Sequence, residues 1–140
     1  MRDLKRIEET MPQSEEAKQT GCFSRQEIVD FQPPNKSILI SIRDPDSDVP
    51  VFPRNWRYIS YFAFPDDDSI AESLIKMIYD DCRAFEEYNI FIHCEAGISR
   101  SAAVMEFLKR RGWKDVNDHM TFPNAHLLAG LERIDREIEG

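Results

Sequence analysis

The chain has 140 residues and a mass of 16.4 kDa, with 41% hydrophobic and 31% charged side chains, enough for one sizeable core and no second domain. A formal net charge of -8 and a pI near 4.9 argue against long-range attraction to nucleic acid or an anionic membrane. No apolar run approaches the ~20 residues of a membrane span, and Met1 to Arg6 lead into further charge rather than a signal-peptide core. The three cysteines, Cys22, Cys82 and Cys94, are odd in number and lack metal-ligand spacing, which disfavours a disulfide framework and a zinc site. The expectation is a cytoplasmic protein without a zinc site and with neither nucleic acid nor membrane as partner.

Residues 1–20 are charged and weakly patterned and are expected to form an N-terminal extension with a frayed or peripheral helix, before a single domain over 21–140. Ser24-Arg25-Gln26-Glu27 is a capping box that opens a short helix, ended by Pro33-Pro34. Ser37 to Ile42 reads as a strand, Asp44 to Asn55 as a proline-bearing acidic loop, and the aromatic stretch Trp56 to Phe64 as the next strand. A helix is predicted from about Ser69 to Glu87, with Ser69-Ile70-Ala71-Glu72 as a second capping box and Ile70, Leu74, Ile78 and Phe85 turned inward. Ile90 to His93 is a short buried strand. After it, Ala102, Ala103, Val104, Phe107 and Leu108 define an apolar helical face that the small alanines let close onto a sheet. The basic run Lys109 to Lys114 suits the C-terminus of that helix, where cations meet the dipole and Gly112 can stop the turn. Asn124 to Glu139 closes the chain as a helix. Strand and helix alternate, so the fold class is α/β, with a central, mainly parallel sheet flanked by helices.

The chemistry concentrates in Phe91-Ile92-His93-Cys94-Glu95-Ala96-Gly97-Ile98-Ser99-Arg100-Ser101, which sets a cysteine, five residues and an arginine between a strand and a helix. A short loop closing onto a helix N-terminus can turn the N–H groups of Glu95, Ala96, Gly97, Ile98 and Ser99 around one tetrahedral anion. Gly97 gives the turn its backbone freedom. The same field favours a nucleophilic thiolate at Cys94, and the planar fork of Arg100 can bind two phosphate oxygens. Ser101 can donate to the sulfur as it leaves, and His93 suits hydrogen bonding that tunes the loop better than base catalysis. The plain alternative for Cys94 is a buried free cysteine; the phasing of its neighbours speaks against it.

His-Cys-x5-Arg-Ser resembles the signature of the cysteine-dependent protein tyrosine phosphatases, and HCEAGISRSAA resembles their compact dual-specificity branch and its bacterial and phage relatives. The resemblance covers roughly residues 24–135. It implies the cysteine phosphatase fold, with the phosphate-binding loop between a strand and a helix. It also implies attack by Cys94 on phosphorus, a cysteinyl-phosphate, hydrolysis by water, and no metal or organic cofactor. An upstream aspartate must protonate the leaving oxygen. Phe64-Pro65-Asp66-Asp67-Asp68-Ser69 looks like that loop; Asp67 is the first choice, with Asp66 and Asp68 as rivals, and Asp68 or Ser69 could instead cap a helix. Asn124, in a Pro-Asn element, is expected to brace the phosphate loop, or to cap the last helix, or both. His126 has no assigned role, and Cys82 is expected to pack in the core rather than to pair with Cys94.

The stretch from Arg111 to Asn124 is shorter than in the usual dual-specificity domain, so a helix there should be reduced or absent. Phosphoinositide phosphatases carry basic residues inside the loop, where this chain has Glu95, Ala96, Ile98 and Ser99; RNA triphosphatases follow the arginine with threonine and glycine, where this chain has Ser101-Ala102. The expected function is hydrolysis of phosphotyrosine on a protein substrate, with phosphoserine and phosphothreonine as further candidates. A phosphate-binding module without turnover, or a non-protein phosphomonoester as substrate, are the alternatives.

Overall fold

The computed structural model describes residues 18–52, 56–117 and 119–139. Most of the expected extension lies outside the described residues; Gln19 and Thr20, which lie within them, already belong to the sheet. Five strands are present among the described residues: β1 (Gln19–Phe23), β2 (Ser37–Arg43), β3 (Tyr58–Ala63), β4 (Asn89–His93) and β5 (Lys114–Asp115). They run in the order β3-β2-β4-β1-β5, and every neighbouring pair is parallel. Helices α1 (Arg25–Ile28), α2 (Glu72–Ala84), α3 (Arg100–Arg110) and α4 (Ala125–Glu139) complete the α/β fold.

A parallel sheet covered on both faces needs apolar residues at successive positions, and β2 and β4 supply them. Register sets Ile38 beside Ile90 and Ile40 beside Ile92, and these side chains share one large core with α2, α3 and α4. The alternate residues Leu39 and Phe91 face the other way, into a smaller cluster with Phe23 and Ile28, where Phe31 lies 4.8 Å from Phe91. Ala102 and Ala103 are fully buried, so α3 sits close against β1 and β4.

The Ser24 box forms as read: its hydroxyl accepts from the Glu27 N–H at 3.0 Å, and the Glu27 carboxylate accepts from the Ser24 N–H at 2.9 Å. The Ser69 box does not. The helix starts at Glu72 behind an Ala71 cap with no side-chain bond, because the Ser69 hydroxyl donates to Asp67 instead, at 2.6 Å. At the other end α2 stops at Ala84, short of Glu87. Gly112 does end α3: at φ +109° it donates to Lys109, while Trp113 donates to Leu108, the two bonds of a Schellman motif. Arg110 and Arg111 then pair with Glu132 and Asp135 of α4, so the basic run is used within the fold. Between Arg111 and Asn124 the described residues hold no helix, only β5 and coil.

Strands β1 and β5 were not expected. β1 contains Thr20 and Gly21, and β5 has two residues, so neither carries an apolar pattern. Both exist through pairing: β1 lies between β4 and β5, and a side chain at Gly21 would meet Asn117 Oδ1 at 2.8 Å. The parallel order gathers the carboxyl ends of β2, β3 and β4 on one edge, and from that edge emerge Asp44, the Phe64 to Asp68 loop and Cys94. Sites in such folds form on that edge.

Candidate active site

β4 ends by delivering Cys94, which is 2% exposed, and the Cys94 N–H donates to the carbonyl of Phe23 at 3.1 Å. The loop then turns through Gly97 at φ +74°. A Cβ on Gly97 would lie 2.4 Å from the Ser24 nitrogen and 2.5 Å from the Phe23 carbonyl carbon, so the loop is pressed onto the junction of β1 and α1 and only glycine fits.

The loop's carbonyls are held from outside. Glu95 accepts from the Arg25 N–H at 3.2 Å, Gly97 from His119 Nε2 at 3.1 Å, Ile98 from the Phe122 N–H at 2.9 Å and Ser99 from the Asn124 N–H at 3.0 Å. With those carbonyls facing the scaffold, the N–H groups of residues 95 to 99 donate to no partner among the described residues. Ser99, at the cap position of α3, makes no side-chain bond to that helix either. The result is a set of uncommitted amides at the positive end of an eleven-residue helix, the arrangement that binds anions.

Arg100 is 4% exposed and bridges two other loops: Nη1 donates to the Phe64 carbonyl at 2.6 Å, and Nη2 lies 2.9 Å from Asp44 Oδ1. Its Nε is buried and has no partner among the described residues. A buried donor of this kind is costly unless a ligand completes it. Beside it, Cys94 Sγ and Ser101 Oγ are 3.1 Å apart, so the hydroxyl can support charge on the sulfur.

His93 is fully buried. Its Nδ1 faces the Cys94 carbonyl at 3.3 Å and so carries the proton, leaving Nε2 to accept from Ser41 Oγ at 2.7 Å. Burial pushes its pKa down to about 4, against weaker support from the Cys94 carbonyl. The ring is neutral at pH 7 and serves as a brace. Glu95 bonds the opposite wall: its carboxylate accepts from the Asp44 N–H and the Ser47 hydroxyl, and lies 3.6 Å from Arg25. Burial alone would raise its pKa, but those donors and the cations Arg25 and Arg100 hold it below the usual carboxylate value.

The three aspartates after Phe64 are all exposed, and their side chains have different partners. Asp66 Oδ1 accepts from Ser99 Oγ and from Asn124 Nδ2, both at 2.8 Å, which brings this carboxylate to the rim of the Cys94–Arg100 loop. Asp67 turns back on Ser69, accepting from its N–H at 2.9 Å and its hydroxyl, and these bonds lower its pKa. Asp68 makes no side-chain bond among the described residues. Asn124 serves both expected ends and one more: Oδ1 caps α4 at the Leu127 N–H, Nδ2 holds Asp66 and the Asp67 carbonyl, and the backbone N–H supports Ser99. His126 anchors the far side of the Phe64–Ser69 loop through the Ile70 carbonyl at 3.0 Å.

Sequence reading missed Asp44, Ser41, Cys22 and His119. Ser41 had a visible signal, a lone hydroxyl in the apolar run Ile38 to Ile42; the others depend on strand order. Cys22 sits against the loop, its thiol donating to the Gly97 carbonyl at 3.6 Å. Burial first, then the charges of Cys94 and Asp115, push its pKa up to about 12, so it stays a thiol. Cys82 packs into the main core from α2. Among the described residues no group of three or more His, Cys, Asp or Glu side chains is placed to hold a metal, and no helix is long and apolar enough to cross a membrane.

No family model and no curated protein matches the sequence. Among solved structures, the crystal structure of human tyrosine phosphatase-like serine/threonine/tyrosine-interacting protein matches with a TM-score of 0.50 and 18% identity, over 74% of this chain and 79% of that one. At that identity the likeness shows the fold: this chain has the α/β architecture of a tyrosine phosphatase-like protein.

Proposed function

We propose that the protein is a cysteine-dependent phosphatase that hydrolyses phosphotyrosine on protein substrates, with phosphoserine and phosphothreonine as further substrates. The observation that carries this reading is the ring of uncommitted amides from Glu95 to Ser99 around Cys94, with the unpartnered Nε of buried Arg100 beside it.

In the first step Cys94 Sγ attacks phosphorus, a P–S bond forms, and the bond to the leaving oxygen breaks. The loop amides and Arg100 bind the phosphoryl oxygens and stabilise the charge that develops on them. A carboxylic acid must hand its proton to the leaving oxygen. Geometry favours Asp66 over the first choice from sequence, Asp67. Both bonds to Asp66 fall on Oδ1, leaving Oδ2 to carry the proton, whereas Asp67 is tied to Ser69 as an ionised acceptor. In the second step Asp66 takes a proton from water, the water oxygen bonds to phosphorus, and the P–S bond breaks. The departing sulfur receives the Ser101 hydrogen bond.

Preference for an aryl ester draws support from Ile98 and Phe122, apolar side chains 40% and 67% exposed on adjoining segments beside the loop. The test is hydrolysis of an aryl phosphate by wild type and Cys94→Ser. Wild-type turnover that vanishes in the variant, with phosphopeptide binding retained, is the expected result; undiminished turnover in the variant would overturn the proposal. A phosphate-binding module without turnover is the second reading. The observation on its side is the lack of a helix among the described residues between Arg111 and Asn124, where coil alone borders the loop.

A further inference from the structure

Arg100 touches both walls of the cleft, and both walls are acidic. On one side its Nη2 meets Asp44, which begins the loop carrying Asp46 and Asp48; on the other its Nη1 meets Phe64, which begins the loop carrying Asp67 and Asp68. Asp46, Asp48, Asp67 and Asp68 are exposed, and none forms a salt bridge among the described residues. Two cations next to the first loop, Arg43 and Arg25, are engaged within the fold. Arg43 donates to the Ser47 carbonyl at 2.6 Å, and Arg25 donates to the Asp48 carbonyl at 2.6 Å and faces Glu95. The phosphate subsite is therefore a small cationic and amide-lined floor between two negative rims. The buried, unpartnered Arg100 Nε marks where the anion belongs.

Such a field discriminates by what surrounds the phosphate. A second negative charge on the substrate meets a carboxylate on either side, while a cation flanking the phosphate meets an unpaired one. From this geometry we infer that the cleft selects phosphorylated protein segments with lysine or arginine on both sides of the modified residue, and disfavours phosphate esters that carry further negative charge. This rests on the function proposed above and narrows its substrate. Rim charges act over about a Debye length, ~10 Å at 0.1 M salt, so the preference is electrostatic and sensitive to salt.

The experiment compares two phosphotyrosine peptides that differ only in their flanks, Lys-rich or Glu-rich, beside an aryl phosphate with no charge beyond the phosphate itself. At low salt the Lys-flanked peptide should have a kcat/KM about tenfold or more above the Glu-flanked one, a ratio that shrinks severalfold at 0.5 M salt. The double substitution Asp46→Asn and Asp48→Asn should lower the ratio, and restoring either carboxylate should recover part of it. Equal kcat/KM values, a preference for the Glu-flanked peptide, or a ratio unmoved by both salt and the substitutions would overturn the inference. Hydrolysis of that aryl phosphate separates this failure from failure of the catalytic proposal. Should the aryl phosphate survive, the affinities of both peptides for Cys94→Ser decide: tighter binding of the Lys-flanked peptide supports the inference, and equal or reversed affinities overturn it.

Discussion

The proposed phosphate loop, Cys94 to Arg100, and the aspartate loop, Phe64 to Ser69, adjoin each other, yet they are held in place by opposite means. The phosphate loop is fixed through its backbone: four carbonyls are bonded from outside, Gly97 is wedged against β1, and Cys94 and Arg100 are almost wholly buried. The aspartate loop is exposed and is positioned by side chains, chiefly Ser99, Asn124, Ser69 and His126. A backbone-fixed site tolerates few residue types at each position and so leaves a readable spacing. A side-chain-fixed site can shift its key residue by one position with no trace in local sequence.

The sharpest way to break the comparison is to exchange the neighbouring aspartates. Asp66→Asn should lower kcat by about 10²–10⁴ on a substrate with a poor leaving group, and far less on one whose leaving group needs no proton. Asp67→Asn should retain most of the activity on both, since its partner is Ser69. Steady-state kinetics on a phenyl and a nitrophenyl phosphate would show this, and the reverse ranking would return the role to Asp67.

On the backbone side, Gly97→Ala adds a Cβ 2.4 Å from a main-chain nitrogen at a φ of +74°. The left-handed conformation alone costs about 1–2 kcal/mol for an L-residue, and the overpacking adds about 1–3 kcal/mol. A lower urea midpoint together with lost phosphate affinity is expected; an unchanged midpoint would show that the loop can move off β1.

This contrast also explains what could be read in advance. The strand before Cys94, the helix after it and the Cys94 to Arg100 spacing were legible, because a continuous apolar run and a phosphate-loop spacing are local patterns. β1 was hidden: Thr20 and Gly21 earn their place only from β4 and β5 on either side. Asp44 was hidden for the same reason, as its link to Arg100 joins residues 56 positions apart. The false capping box at Ser69 and the turn of Asp67 away from the Cys94–Arg100 loop share one cause. The Ser69 hydroxyl could satisfy either a helix or Asp67, and local sequence does not say which; it bonds Asp67, and this leaves Asp66 to face the phosphate loop.

Acid should weaken the phosphate-loop side first. His93 holds the Cys94 carbonyl as a neutral ring with a pKa near 4, against an ordinary 6.5. The unfolded chain therefore takes up more protons between these values, so stability falls as pH drops below 6.5 and this contribution is gone near pH 4. The full effect of the shift is about 3 kcal/mol. Urea unfolding across that range should show the slope, and His93→Gln should flatten it; a slope that persists unchanged would assign it to other groups.

The smallest effect tests the residue that joins the two loops. Asn124 caps α4 with Oδ1 and holds Asp66 with Nδ2, so its two functions reside on different atoms of one amide. Asn124→Ala should cost about 1 kcal/mol of stability through the lost cap and should also lower kcat. Asn124→Asp keeps an acceptor for the Leu127 N–H but replaces the donor to Asp66 with a like charge, so stability should recover while kcat stays low. Were kcat to recover with stability, the bond to Asp66 would be incidental and α4 alone would account for the residue.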